Sequence, residues 1–132
     1  MTRVLVVDDH DFFRTCMVDL VASTADLRAV GECRDGTEVL DAVRVLRPDV
    51  VLMDVRMRTR TGLEAAADLR RAGDGARVIL LSSDPVHRHR RAAEREGVAG
   101  YLMKDADASR VLEAIRRVAS GGTAWPEERL AG

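Results

Sequence analysis

The chain has 132 residues, 46% of them apolar and 33% charged, with a formal net charge of -1, the balance of one soluble domain able to bury roughly two thirds of its unfolded surface. Near-neutrality leaves no bulk attraction for nucleic acid, and the apolar runs fall far short of the ~18 residues that cross a bilayer, so no direct DNA contact and no membrane partner are expected. The first apolar run leads straight into acidic residues, unlike a signal peptide, and Cys16 and Cys33 are too few for a disulfide framework, which points to a cytoplasmic protein with both cysteines buried as small apolar residues.

In chain order, apolar runs at residues 4–7, 50–53, 78–81 and 98–103, with a weaker one at 27–33, read as strands. Unbroken rather than alternating runs belong to strands covered on both faces, hence to a parallel sheet. Helical periods separate them: Phe13, Cys16, Met17, Leu20 and Val21, then Val39, Leu40, Val43 and Leu46, then an alanine-rich stretch from Leu63 to about Arg71. The fourth helix, residues 86–96, opens with His87, Arg88, His89, Arg90 and Arg91. Cations there oppose the positive end of the helix dipole, so this helix is expected to be short or mobile, with His87 and His89 solvated. The fifth repeats Val111, Leu112, Ile115, Val118 and Ala119.

Asp35-Gly36, Pro48 and glycines 62, 73, 75, 97 and 121 punctuate these elements. The result is an α/β chain, (βα) five times over, with a domain at residues 1–121 and a tail at 122–132. Right-handed crossovers then favour a doubly wound, flavodoxin-like sheet of five parallel strands in the order 2-1-3-4-5.

Ligands of such sheets bind beyond the carboxyl ends of the strands. Strand one ends in Asp8-Asp9, strand three in Asp54, strand four in Ser82-Ser83, and strand five in Lys104, the single lysine beside twenty arginines. Lysine carries a compact point charge where arginine carries a wide planar fork. Three carboxylates in one pocket raise at least one pKa unless a cation is shared between them. An all-oxygen donor set suits Mg²⁺. Metal, ammonium and the Ser82 hydroxyl together would meet the three oxygens of a phosphoryl group on Asp54, since carboxylates act as phosphoryl acceptors. An aspartate at a strand end is commonly a helix cap, and Asp9 or Asp11 alone would read that way; the combination in this order does not.

The motifs Val4-Leu5-Val6-Val7-Asp8-Asp9-His10, Pro48-Asp49-Val50-Val51-Leu52-Met53-Asp54-Val55-Arg56-Met57, Gly62-Leu63-Glu64 and Gly100-Tyr101-Leu102-Met103-Lys104-Asp105-Ala106 resemble a bacterial two-component response-regulator receiver domain, most of all the NarL/FixJ type. The resemblance spans residues 3 to about 121. It implies that Asp54 accepts phosphate from a sensor histidine kinase, that Asp9, Asp54 and the Arg56 backbone carbonyl ligate Mg²⁺ with Asp8 helping through water, and that Ser82 and Lys104 contact the phosphoryl group. It further implies that Tyr101 is a switch aromatic, and that the fourth helix, fifth strand and fifth helix carry the signal outward. Such a domain is a regulatory phosphoacceptor that assists its own phosphorylation and dephosphorylation, not an enzyme with an external substrate.

One departure is Arg58, where the family usually has proline. Arg56, Arg58 and Arg60 therefore border the acidic pocket, read as a solvated loop from which one guanidinium could stand in for the metal. His10 is expected at the helix entry rather than on the metal. Residues 123–129 look like the start of an interdomain linker, so DNA would be reached only through an output domain absent from this chain, and a homodimer is possible through helices one and five or four and five. Two other readings remain open: a phosphorylation-independent docking or dimerisation module, and a haloacid-dehalogenase-like phosphatase in which Asp9-His10-Asp11 mimics the opening motif.

Overall fold

The computed structural model describes residues 1–126; residues 127–132, the far end of the expected linker, lie outside the described residues. The elements are β1 (Thr2–Val7), α1 (Asp11–Ala22), β2 (Leu27–Cys33), a 3-10 turn (Gly36–Glu38), α2 (Val39–Leu46), β3 (Val50–Asp54), α3 (Gly62–Arg71), β4 (Arg77–Ser82), α4 (Val86–Arg95), β5 (Gly100–Met103) and α5 (Ala108–Ala119). All pairings are parallel and the strand order is β2-β1-β3-β4-β5, as the apolar pattern and crossover rule require.

Alternation along the strands divides the core in two. Leu5, Val7, Val51, Met53 and Leu80 face α2, α3 and α4, packing with Val43, Ala66, Leu69 and Ala93. Val4, Val6, Leu52, Ile79 and Leu81 face α1 and α5, packing with Val21, Val111, Ile115 and Val118. Every residue of β3 is buried, so Asp54 at its end inherits a fixed position. Cys33 is buried as expected, whereas Cys16 is only half-buried, because its place on α1 lies beside the stripe that meets the sheet rather than within it.

The helix starts follow from local chemistry. Thr61 and Glu64 form a capping box at α3, and Asp107 caps α5 by accepting from the Arg110 N–H. Arg47 takes a left-handed φ of 50° to end α2 just before Pro48.

The fourth helix is not short. It runs for ten residues, as long as α3, because an acid outside the helix supplies the missing compensation. Asp84, two residues before it, takes His89 Nε2 at 2.9 Å and Arg88 Nη1 at 3.2 Å, while Glu94 pairs with Arg90 at 2.9 Å. His89 is thus a hydrogen-bond partner of Asp84 with a largely buried ring, not a solvated residue.

Beyond α5 the chain returns to the sheet. The Tyr101 N–H donates to the Ala124 carbonyl at 3.0 Å and the Ala124 N–H to the Ala99 carbonyl at 2.9 Å, so residue 124 makes a one-residue bridge beside Gly100 at the edge of β5. Trp125 then stacks on Tyr101 at 6.5 Å between ring centres, with the Arg90 guanidinium 5.1 Å from the indole.

Candidate functional site: an acidic pocket at the carboxyl edge of the sheet

The strand ends bring together the residues their positions in the sequence single out. Asp8 is fully buried just beyond β1, and Asp54 is buried at the last position of β3. From β5, Lys104 reaches between them: its Nζ lies 2.9 Å from Asp8 Oδ2 and 3.2 Å from Asp54 Oδ2. Its backbone N–H bonds the Ser82 carbonyl at 2.9 Å, and its ammonium lies 4.7 Å from the centre of the Phe13 ring on α1. Phe13, read from the sequence only as a core position, thus forms one wall beside the lysine.

Electrostatics follow from this crowding. Burial, and after it the charge of Asp8, raises the Asp54 pKa, with Lys104 only partly opposing them. For Lys104, burial alone favours the neutral amine, but the hydrogen bond to Asp8 and the charge of Asp54 outweigh it and raise the pKa. Two carboxylates, Asp8 and Asp54, therefore share one ammonium.

Two oxygens are buried without a well-directed hydrogen bond, Asp8 Oδ2 and Asp9 Oδ1. The first faces the Lys104 ammonium, the second the His10 ring at 3.1 Å. The first is a charge contact and the second a polar one, with acceptor capacity left over for a cation. Asp8, Asp9, His10 and Asp54 each offer one ligand atom, and these atoms lie within 4.8 Å of one another. The donor set fits a small divalent metal.

His10 does occupy the entry of α1, as the N-cap residue, but its side chain makes no capping bond. The ring turns into the pocket instead, with Nδ1 3.1 Å from both Asp8 Oδ1 and Asp9 Oδ1 and 3.9 Å from Asp54 Oδ2. Adjacency to the acidic pair was the signal for this placement.

Arg56 and Arg60 do not enter. Arg56 grips Asp84 through Nε and Nη2 at 3.0 and 2.8 Å, and Arg60 grips Asp68 through the same two atoms at 2.6 Å; the cation standing among the carboxylates is Lys104. The loop that carries Arg58 in place of proline is anchored by Asp35, whose carboxylate accepts from the Thr59 and Arg60 N–H groups at 2.9 and 3.2 Å. The Arg56 N–H donates to Asp54 Oδ1 at 3.2 Å, which puts Arg56 on the loop directly above that carboxylate.

Ser82 and Tyr101 meet in the β4–α4 loop. The Ser82 hydroxyl, buried, accepts from the Asp84 N–H at 2.9 Å. The Tyr101 ring is fully buried and its hydroxyl donates to the Asp84 carbonyl at 2.7 Å. Asp84, not singled out in the sequence, is the hub here: its side chain holds α4 and Arg56, its backbone holds Ser82 and Tyr101. Contact with His89 first, then Arg56, lowers its carboxyl pKa to about 2.

Comparison with known proteins agrees with this geometry. Residues 4–116 match the family model of the response regulator receiver domain. Response regulator GacA of Pseudomonas viridiflava is 41% identical over 124 residues, which are 92% of this chain and 56% of that protein. The nitrate/nitrite response regulator protein NarP of Escherichia coli is 34% identical over 125 residues, 95% of this chain and 58% of its own. The chain thus spans little more than half the length of these curated relatives. Among solved structures, a LuxR-family two-component response regulator from Aurantimonas sp. SI85-9A1 superposes with a TM-score of 0.89 at 27% identity, covering 94% of this chain and 89% of that one. The response regulator domain of Thermotoga maritima CheB gives 0.84 at 30% identity, covering 91% and 97%. Sequence match and fold concur with the strand-end pocket: this chain belongs to the response-regulator receiver domains of two-component systems, of the NarL/FixJ type.

Proposed function

We propose that Asp54 is the phosphoacceptor of this receiver and that a sensor histidine kinase is its donor. The observation that carries this reading is the buried Asp54 carboxylate held 3.2 Å from the single lysine of the chain, at the carboxyl edge of the sheet. One Asp54 oxygen attacks the phosphorus of a phosphohistidine; the new P–O bond forms as the P–N bond breaks, and the departing imidazole nitrogen keeps the electron pair. Lys104 neutralises charge on the transferred group, and the Ser82 hydroxyl, released from the Asp84 N–H, donates to a phosphoryl oxygen. Asp8, Asp9, Asp54 and the Arg56 carbonyl would hold Mg²⁺, which supplies further neutralisation of the phosphoryl oxygens when bound.

Signal output follows from the links around Asp84. Movement of Ser82 toward the phosphoryl group pulls the loop whose carbonyl receives the Tyr101 hydroxyl and whose carboxylate holds α4, so α4, β5 and α5 form the responsive face. Residues 1–121 act as the receiver and residues 122–132 as the tail or linker start, leading in a longer protein to a DNA-binding output domain of a cytoplasmic transcription regulator. The family assignment removes the support for a phosphatase. The Arg58 departure, which had kept a phosphorylation-independent docking module open, sits in an anchored loop.

The test is incubation with Mg²⁺ and acetyl phosphate followed by intact mass. One phosphate on the wild type and none on Asp54→Asn is the expected result. No adduct, together with no metal-dependent binding of a beryllofluoride mimic, would turn the reading to the docking module.

A further inference from the structure

We propose that His10 is a metal ligand in this pocket, through Nδ1, and that it shifts the site's preference from Mg²⁺ toward divalent transition metals. The inference rests on the metal site of the preceding reading and adds a nitrogen donor to it.

The geometry comes first. Ligands about 2.1 Å from an octahedral cation stand about 3.0 Å apart when adjacent and about 4.2 Å apart when opposite. His10 Nδ1 lies 3.1 Å from Asp8 Oδ1, 3.1 Å from Asp9 Oδ1 and 3.9 Å from Asp54 Oδ2. The first two match adjacent corners and the third approaches an opposite one. One nitrogen and three carboxylate oxygens thus converge, with one ligand atom from each residue within 4.8 Å of the others; the Lys104 ammonium, 3.4 Å from the same Nδ1, gives way when a cation enters.

The second argument concerns what the ring is not doing. At an N-cap, a polar side chain ordinarily accepts from the backbone N–H groups of the first helical turn. His10 makes no such bond. The helix entry is fixed instead by its backbone, whose N–H donates to Asp8 Oδ1 at 2.8 Å and whose carbonyl accepts from the Arg14 N–H at 2.9 Å. Arg14, buried, braces the same corner by donating to the Asp8 carbonyl at 2.8 Å and to Asp11 and Glu32. The scaffold that aims the imidazole is therefore independent of the imidazole.

The third is chemical. Oxygen donors alone suit Mg²⁺, whereas imidazole suits the later first-row metals, whose affinity for nitrogen sites rises from Mn²⁺ to Ni²⁺. A neutral ring presenting the Nδ1 lone pair replaces one water of the shell, which costs little for the transition metals and gains little for Mg²⁺, a cation that keeps its waters. The ring's other edge stays in solvent, the side chain being 69% exposed, so its removal does not open the core.

The experiment uses the whole chain with Mn²⁺ as probe. Electron spin-echo envelope modulation of bound Mn²⁺ reads a directly coordinated imidazole nitrogen as a ¹⁴N coupling. That coupling is expected in the wild type and expected to be lost in both His10→Ala and His10→Gln, whose folding is checked by circular dichroism. By calorimetry with Ni²⁺ and Mg²⁺ separately, and with Asp9→Asn subtracting sites elsewhere, His10→Ala is expected to weaken Ni²⁺ roughly tenfold or more and Mg²⁺ less than about threefold. Mn²⁺ binding that requires Asp9 but carries no ¹⁴N coupling, or equal losses for both metals, overturns the role of His10 and leaves the phosphoacceptor reading standing. Absence of any Asp9-dependent divalent binding, with no phosphate adduct on Asp54, defeats both.

Discussion

Lys104 Nζ stands 3.2 Å from Asp54 Oδ2, and it gets there by passing the Phe13 ring at 4.7 Å from its centre. Between the Phe13 ring and the two carboxylates sits a compact point charge; a guanidinium is wider and planar. Lys104→Ala and Lys104→Arg are therefore both expected to slow charging of Asp54 by acetyl phosphate, by about tenfold or more, as followed by intact mass over time. Full activity in Lys104→Arg would show that positive charge alone suffices and that the compactness of the ammonium is irrelevant.

Asp54 carries a stability consequence whose sign follows from its surroundings. Burial and the charge of Asp8 raise its folded pKa, so the protonated form is favoured by folding. That contribution is present below the unfolded carboxylate value of about 4 and is lost as pH rises through the folded value. At neutral pH the ionised group opposes the fold, and Asp54→Asn is expected to stabilise by about 1 kcal/mol, raising the melting temperature by roughly 4 °C. The gain should shrink as pH falls through the raised folded value and be gone by about pH 4. Thermal melts of both proteins across that range check it, and an Asn variant that melts lower at pH 7 would mean that the Lys104 contact outweighs the repulsion.

Strand order and pocket were legible in the sequence because each rests on a signal confined to a few adjacent residues. Val50, Val51, Leu52 and Met53 announce a doubly covered strand, and the residue after them must fall at the sheet's carboxyl edge. What the sequence did not disclose depends on residues distant in the chain or outside the element concerned. The cations of α4 are adverse only on the helix's own residues, whereas Asp84 neutralises Arg88 and bonds His89 from the preceding loop. The two-residue shortfall of β5 at its start has a similar origin: Val98 and Ala99 are apolar and buried, yet Ala99 serves as an entry residue that bonds Val78 on one side and Ala124 on the other. His10 was placed at the helix entry correctly by position, but the direction of its ring follows from the cap geometry and not from residue type.

Asp84 is expected to govern α4. His89, then Arg56, hold its carboxyl at about 2, below the unfolded value, so its contribution is complete above about pH 4 and fades as pH falls through about 2. Asp84→Ala leaves Arg88 and His89 facing the helix dipole without compensation. Amide exchange within residues 86–95 should accelerate by roughly tenfold while β1 and β3 are unchanged. Unaltered exchange in α4 would assign its stability to Val86 and Ala93 in the core instead.

Gly62 lies against the backbone that presents Asp54. Its N–H bonds the Val55 carbonyl at 2.9 Å, and a methyl group at its Cβ position would overlap the Asp54 carbonyl oxygen and crowd the Leu80 side chain. Backbone cannot swing aside as a flexible side chain does, so Gly62→Ala is expected to destabilise by about 2 kcal/mol or more and to slow phosphorylation of whatever fraction folds. Chemical denaturation gives the first number and the acetyl phosphate time course the second. Wild-type values for both would mean that α3 slides freely over the end of β3.

Trp125 and Tyr101 join the returning chain to β5 and α4. The rings stack 12° from parallel, Arg90 of α4 lies 5.1 Å from the indole, and two backbone hydrogen bonds fix residue 124 at the edge of β5. Trp125→Ala is expected to cost about 1 to 2 kcal/mol from the lost stacking and cation contact, and to speed exchange of the Tyr101 amide, whose acceptor is the Ala124 carbonyl. Tyr101→Phe removes only the 2.7 Å bond to Asp84 and should cost about 1 kcal/mol, with the Tyr101-position amide still protected. The double variant distinguishes a coupled pair from two separate anchors. Simple additivity would place the tail outside the switch, whereas a double loss smaller than the sum by about 0.5 kcal/mol or more would show that the inward ring and the tail hold each other in place.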